Sequence, residues 1–120
     1  MMASWIAVFI GGGLGSVLRW RISLWLPAHN GFPWGTFAAN LLASTVLAFA
    51  AIYFAERNSQ ASQQALLVMT GFCGGFSTFS TFSLETFRLL DSGRWGLATG
   101  YILASVGCCL AAMWLVYRSH

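Results

Sequence analysis

Between Gly71 and Ser83 the chain reads Gly-Phe-Cys-Gly-Gly-Phe-Ser-Thr-Phe-Ser-Thr-Phe-Ser. A glycine pair is followed by phenylalanines alternating with hydroxyl residues, inside a segment from Ala65 to Leu84 that carries no charge. Hydroxyls donate and accept hydrogen bonds, and the edge of a phenyl ring is electropositive. Phe79 and Phe82 are three apart, which puts both rings near one face of a helix, and Thr78/Thr81 and Ser77/Ser80 share that spacing. Rings at such spacing usually pack a core. Together with the hydroxyls they also suit a dehydrated path for a small anion. The Gly74-Gly75 pair is a weak place for a helix. Carbonyls freed at a helix break in a membrane commonly coordinate a cation, so one stretch can hold a cation and pass an anion beside it.

Three further polar residues stand in or beside apolar runs. Asn40 offers amide donors and an acceptor, for an interhelical hydrogen bond or for a pore. Arg19 is either an interfacial anchor or an electropositive residue facing a vestibule. Glu85, one turn after Thr81, either pairs with Arg88 or caps a pore mouth.

The elements that must position these groups follow from composition. Of 120 residues, 58% are hydrophobic and 8% charged, with no lysine. That is the balance of an integral membrane protein. The apolar runs predict an all-α protein of four transmembrane helices: about Ser4 to Leu26, Trp34 to Ala55, Ala65 to Arg88 with a break at Gly74-Gly75, and Trp95 to Tyr117. A bilayer core takes about 20 apolar residues per helix, so one four-helix domain over residues 1–120 uses nearly the whole chain. Pro27 to Pro33, Glu56 to Gln64 and Leu90 to Arg94 are the connections. Met1 to Ser4 has no basic side chain, so the first run is expected to be retained rather than cleaved. Gly11-x-x-x-Gly15, Gly71-x-x-x-Gly75 and Gly96-x-x-x-Gly100 are small-xxx-small patterns that let helices approach closely.

With a cytoplasmic N-terminus, Arg57 and Arg118 lie inside and Arg21 and Arg94 outside, once Arg19 and Arg88 are assigned to the helices. This tie scarcely chooses an orientation and points to dual topology, with copies paired antiparallel. The net charge of +3 is scattered, with no basic stripe, so nucleic acid is not expected as a partner. Cys73, Cys108 and Cys109 fit no zinc spacing and read as small buried residues. His29 and His120 lie at span edges with no nucleophile–base pair, so no enzyme is expected.

The stretch Gly71 to Ser83 closely resembles the third-helix signature of the CrcB/Fluc fluoride channels. Gly11-Gly12-x-x-Gly15-Ser16-x-x-Arg19 resembles that family's first-helix pattern, and Gly35-Thr36-Phe37-Ala38-Ala39-Asn40 its second. The resemblance implies an antiparallel, dual-topology homodimer in a bacterial inner membrane, with fluoride pores and a structural sodium ion at its centre. It implies that Phe79, Phe82 and Asn40 line the pore with the Ser80 and Thr81 hydroxyls. Ser105, on the fourth span, is expected to join them by its spacing. It further implies that Gly74 and Ser77 give backbone carbonyls to sodium, that Arg19 lies in a vestibule and that Glu85 lies at the pore end. Ser77 stands where many members have threonine, Phe76 where leucine is frequent, and Cys109 where another small or hydroxyl residue is expected. The implied role is passive fluoride export and fluoride resistance. The competing reading is a small dual-topology drug or cation exporter. Such exporters use a carboxylate in the first span, and Met1 to Leu26 contains none.

Overall fold

A computed structural model describes residues 3–120; Met1 and Met2, at the head of the run expected above to be retained, lie outside them. The described residues are helical almost throughout. Helix α1 spans Ser4–Trp25 and α2 spans Trp34–Glu56. Helix α3 is composite: Gln63–Ala65, a π-helical stretch Leu66–Cys73, and Gly74–Phe76. Helix α4 follows as Phe79–Asp91 and α5 as Trp95–Ser119. Taking α3 and α4 as two halves of one broken helix gives the expected count of four.

Three of these are long and apolar enough to cross a membrane: Trp34–Glu56, the α3–α4 unit Gln63–Asp91, and Trp95–Ser119. The first helix, with Arg19, Arg21 and four glycines, falls outside that group. The packing is nonetheless that of a protein in lipid. Small residues fill the interior, among them Ala7, Ala39, Ala43, Ala48 and Ala98, while Trp5, Phe9, Leu14, Leu103 and Trp114 face outward. Tyr101 is the only large side chain fully buried among the described residues. Water would drive the large apolar groups inward; lipid leaves small residues to mediate close backbone contact.

Glycines decide how α1 meets α3. Gly11 on α1 faces Gly71 and the Leu67 and Phe72 backbone of α3, Gly15 faces the Phe72 and Phe76 backbone, and Gly75 faces Gly12, so two of the three small-xxx-small patterns lie in one contact. A Cβ on Gly71 would sit 2.9 Å from the Val8 carbonyl oxygen and 3.0 Å from Gly11 Cα. The third pattern, Gly96 and Gly100, has no atom near enough to need a glycine.

The break in the third helix lies one turn later than the sequence suggests. Gly74 is helical (φ −64°, ψ −38°), and Gly75 serves close packing against Gly12. The chain leaves the helix at Ser77 (φ −88°, ψ 158°) and Thr78 (φ −152°, ψ 122°). Ser77 and Thr78 therefore share no helical face with Ser80 and Thr81; of the three spacings noted, only Phe79/Phe82 lies within one helix. The first connection turns through Asn30 and Gly31, both at positive φ, closed by paired His29–Phe32 backbone hydrogen bonds. Arg94 Nη2 donates to the Asn30 carbonyl at 2.7 Å, tying this turn to the start of α5.

Candidate functional site

The break is held by side chains from three helices. In a continuing helix the Thr78 N–H would return to the Gly74 carbonyl. Here it donates to Asn40 Oδ1 at 2.7 Å, and Asn40 Nδ2 donates to the Thr78 carbonyl at 3.3 Å. The Asn40 amide thus takes the place of a neighbouring backbone segment, and its oxygen is oriented by an obligatory donor. One of its two N–H groups is used on Thr78; the other remains to give. Thr78 also caps α4, its Oγ1 accepting from the Thr81 N–H at 3.1 Å, a bond that replaces the one to the Ser77 carbonyl. The Gly74 and Ser77 carbonyls have therefore both lost the partner a continuous helix would give them. Arg19 Nε donates to the next carbonyl, Gly75, at 3.1 Å. A cation at a helix C-terminus is favourably placed, so this half-buried guanidinium finishes α3 rather than standing free at the surface.

Beside the break, α2, α4 and α5 enclose a groove of about 280 Å³. Asn40, Phe79, Phe82, Ser105 and Ser77 all line it. The Phe79 and Phe82 ring centroids are 6.0 Å apart, with planes tilted by 43°. Phe79 is 79% exposed, so the groove is open on that side. Ser105 Oγ is buried and has no hydrogen-bond partner among the described residues, a costly state for a hydroxyl unless something polar visits it. Ser80 and Thr81 do not line this groove. Ser80 Oγ lies 3.3 Å from Thr78 Oγ1, and Thr81 is engaged through its backbone.

Thr78 and Cys109, both singled out in the sequence, also border the groove, and so does Ser44, which sequence reasoning missed. Ser44 is one turn beyond Asn40, so the helical period applied to Asn40 finds it. Glu85 is not paired with Arg88. Its Oε2 accepts from Thr36 Oγ1 at 2.9 Å and its Oε1 from the Tyr101 hydroxyl at 2.8 Å. The Tyr101 ring lies 5.0 Å from that of Phe82. The groove is thus linked through the Phe82 and Tyr101 rings to a polar cluster of Tyr101, Thr36 and Glu85. Glu85 in turn borders a second depression, of about 330 Å³, with Arg88 and Arg94. Among the described residues no cluster of three His, Cys, Asp or Glu side chains is built to hold a metal. The oxygen donors on offer are backbone carbonyls.

The sequence has relatives among known proteins. A family model described as CrcB-like protein, Camphor Resistance (CrcB), matches residues 6–117. The Fluoride-specific ion channel FluC of Serratia proteamaculans (strain 568) is 50% identical over 101 residues, covering 82% of this chain and 80% of the relative. That of Escherichia fergusonii is 43% identical over 107 residues, covering 88% and 84%. That of Escherichia coli O139:H28 is 41% identical over 124 residues, covering 99% and 98%. A family match over nearly the whole chain, joined to a broken helix clamped beside an amide, phenyl and hydroxyl groove, makes this multi-pass membrane protein a member of the CrcB family.

Proposed function

We propose that this protein is a fluoride-specific channel giving passive fluoride export and fluoride resistance. The observation that carries the reading is the groove in which Asn40, Phe79, Phe82 and Ser105 converge; close relatives are named as fluoride channels. Fluoride is small and strongly hydrated, so a pore must replace its water with donors. The spare Asn40 N–H, the unpartnered Ser105 hydroxyl and the phenyl edges are such donors. They bind weakly enough singly to let the ion leave, as conduction requires. Ser80 and Thr81, tied to Thr78 beside the groove rather than lining it, would act at its approach. Glu85, with Thr36 and Tyr101, forms the pore end.

The functional unit in this reading is an antiparallel, dual-topology homodimer whose four helices per chain cross a bacterial inner membrane. The groove is open beside Phe79, and a second copy would close it. The two carbonyls freed at Gly74 and Ser77 suit a hard cation that prefers oxygen ligands. Two chains would supply four such oxygens to one sodium ion at the centre of the dimer. When bound, that ion would add positive charge near the anion path and join the chains. Arg19, beside the same break, lies towards the vestibule. The exporter reading finds no support in α1, which contains no carboxylate between Ser4 and Trp25.

The test is ion efflux from liposomes holding the purified protein. Fluoride should leave and chloride should not, and Phe82→Ile should suppress fluoride efflux while the assembled protein keeps its size. Absence of fluoride efflux from well-folded protein would reject the channel reading.

A further inference from the structure

On the face of α1 turned away from α3, an apolar groove of about 500 Å³ runs from Phe9 and Ile10 past Gly13, Leu14 and Val17 to Arg21 and Trp25. Its floor is Gly13, where an added Cβ would meet no atom within 4 Å. The aromatic and aliphatic walls face outward: Phe9 is 75% exposed and Trp25 62%. At one end the Arg21 guanidinium carbon lies 5.0 Å from the Trp25 ring centroid. Among the described residues Arg21 has no ion pair, and it is exposed.

The dimensions and charge of this groove point to its occupant. From Phe9 to Arg21 is twelve residues, or about 18 Å of helix. That is close to the depth of one leaflet, about 15 Å of hydrocarbon. Trp25 and Arg21 sit at the end where an interface would lie, as Trp and Arg commonly do. The groove is therefore apolar over the length of an acyl chain and positive where a headgroup would stand. A second groove, along α2, offers a contrast. It contains Arg57 held over the Tyr53 ring at 3.7 Å, but Glu56 borders it too, and Glu56 pairs with His120 at 2.7 Å. Its carboxylate opposes an incoming phosphate.

We infer that the α1 groove binds one anionic phospholipid of the bilayer, an acyl chain lying over Gly13 and the headgroup phosphate on Arg21. The site selects charge rather than chain, because the apolar walls accept any acyl group. A single arginine near a membrane surface favours an anionic lipid by about fivefold.

Native mass spectrometry of the detergent-solubilised protein tests this, with phosphatidylglycerol and phosphatidylcholine added separately. The wild-type protein should retain phosphatidylglycerol about fivefold better. Arg21→Gln should retain the two equally, and Arg57→Gln should behave as wild type. Gly13→Leu should fill the floor and lose both lipids, with fluoride efflux and thermal stability kept. Equal retention by the wild type, or a phosphatidylglycerol preference that survives Arg21→Gln, would overturn the inference. So would unchanged retention in Gly13→Leu. A fall in oligomeric mass in Gly13→Leu would assign the groove to a second copy of the chain instead.

Discussion

Replacing Gly15 by alanine adds one methyl group at the closest approach of α1 to α3. The new Cβ would run into the Phe72 carbonyl oxygen and stand 2.7 Å from the Phe76 nitrogen and 3.1 Å from the Phe72 carbonyl carbon. These are backbone atoms, so no side chain can swing aside, and the helices must separate by about 1 Å. Overpacking of this kind costs about 1–3 kcal/mol, and the upper half of that range is expected where backbone meets backbone. Function should fail for a connected reason. Arg19 is one turn beyond Gly15, and its Nε is 3.1 Å from the Gly75 carbonyl. A shift of about 1 Å lengthens that bond past hydrogen-bonding range and loosens the C-terminal end of α3, where the break begins. Chemical denaturation in detergent and fluoride efflux from liposomes measure the two effects. Gly13→Ala is the control, because its methyl meets nothing within 4 Å and gains about 0.5–1 kcal/mol of helix stability. If Gly15→Ala matched Gly13→Ala in both assays, the view that glycines set the α1–α3 contact would be refuted.

Three further changes probe the site. Asn40→Asp keeps the acceptor for the Thr78 N–H but loses the amide donor and adds negative charge in the groove; fluoride efflux should vanish while the fold survives, as circular dichroism would show. Ser105→Ala removes a buried hydroxyl with no partner; stability should hold or rise by about 1 kcal/mol while efflux falls, and a large loss of stability would mean the hydroxyl is satisfied. Tyr101→Phe takes one donor from Glu85 and should cost about 1.5–3 kcal/mol in denaturation, the range for bonds to charged groups, with a reduced fluoride rate; unchanged values in both would dismiss the Thr36–Glu85–Tyr101 cluster as incidental.

Much of the architecture is legible in the sequence. Apolar runs bounded by proline, polar loops and arginine place α1, α2 and α5 to within a residue or two, although α1 carries Arg19 and Arg21 and is not among the three long apolar spans; lipid imposes length and composition directly. The hydroxyl-rich stretch marked the place where the third helix fails. The failure point itself was misplaced, since glycine propensity pointed to Gly74-Gly75. The π-helical stretch Leu66–Cys73 carried no signal, for its wider turn depends on hydrogen bonds rather than on residue types.

The sequence by itself determined that this is a helical membrane protein with a polar interruption, because apolar length and charge are local quantities. Only the tertiary structure decided where the interruption falls and what surrounds it. Asn40, 38 residues from Thr78, supplies both hydrogen bonds that let the chain leave the helix there. Thr36, 49 residues from Glu85, draws a carboxylate from the middle of α4 into a polar cluster. Gly11 and Gly15 acquire their meaning from the α3 backbone across the contact, at Gly71 for the one and at Phe72 and Phe76 for the other. In each case a backbone or charged group must find a partner away from water, and that partner is fixed by packing rather than by neighbouring residues.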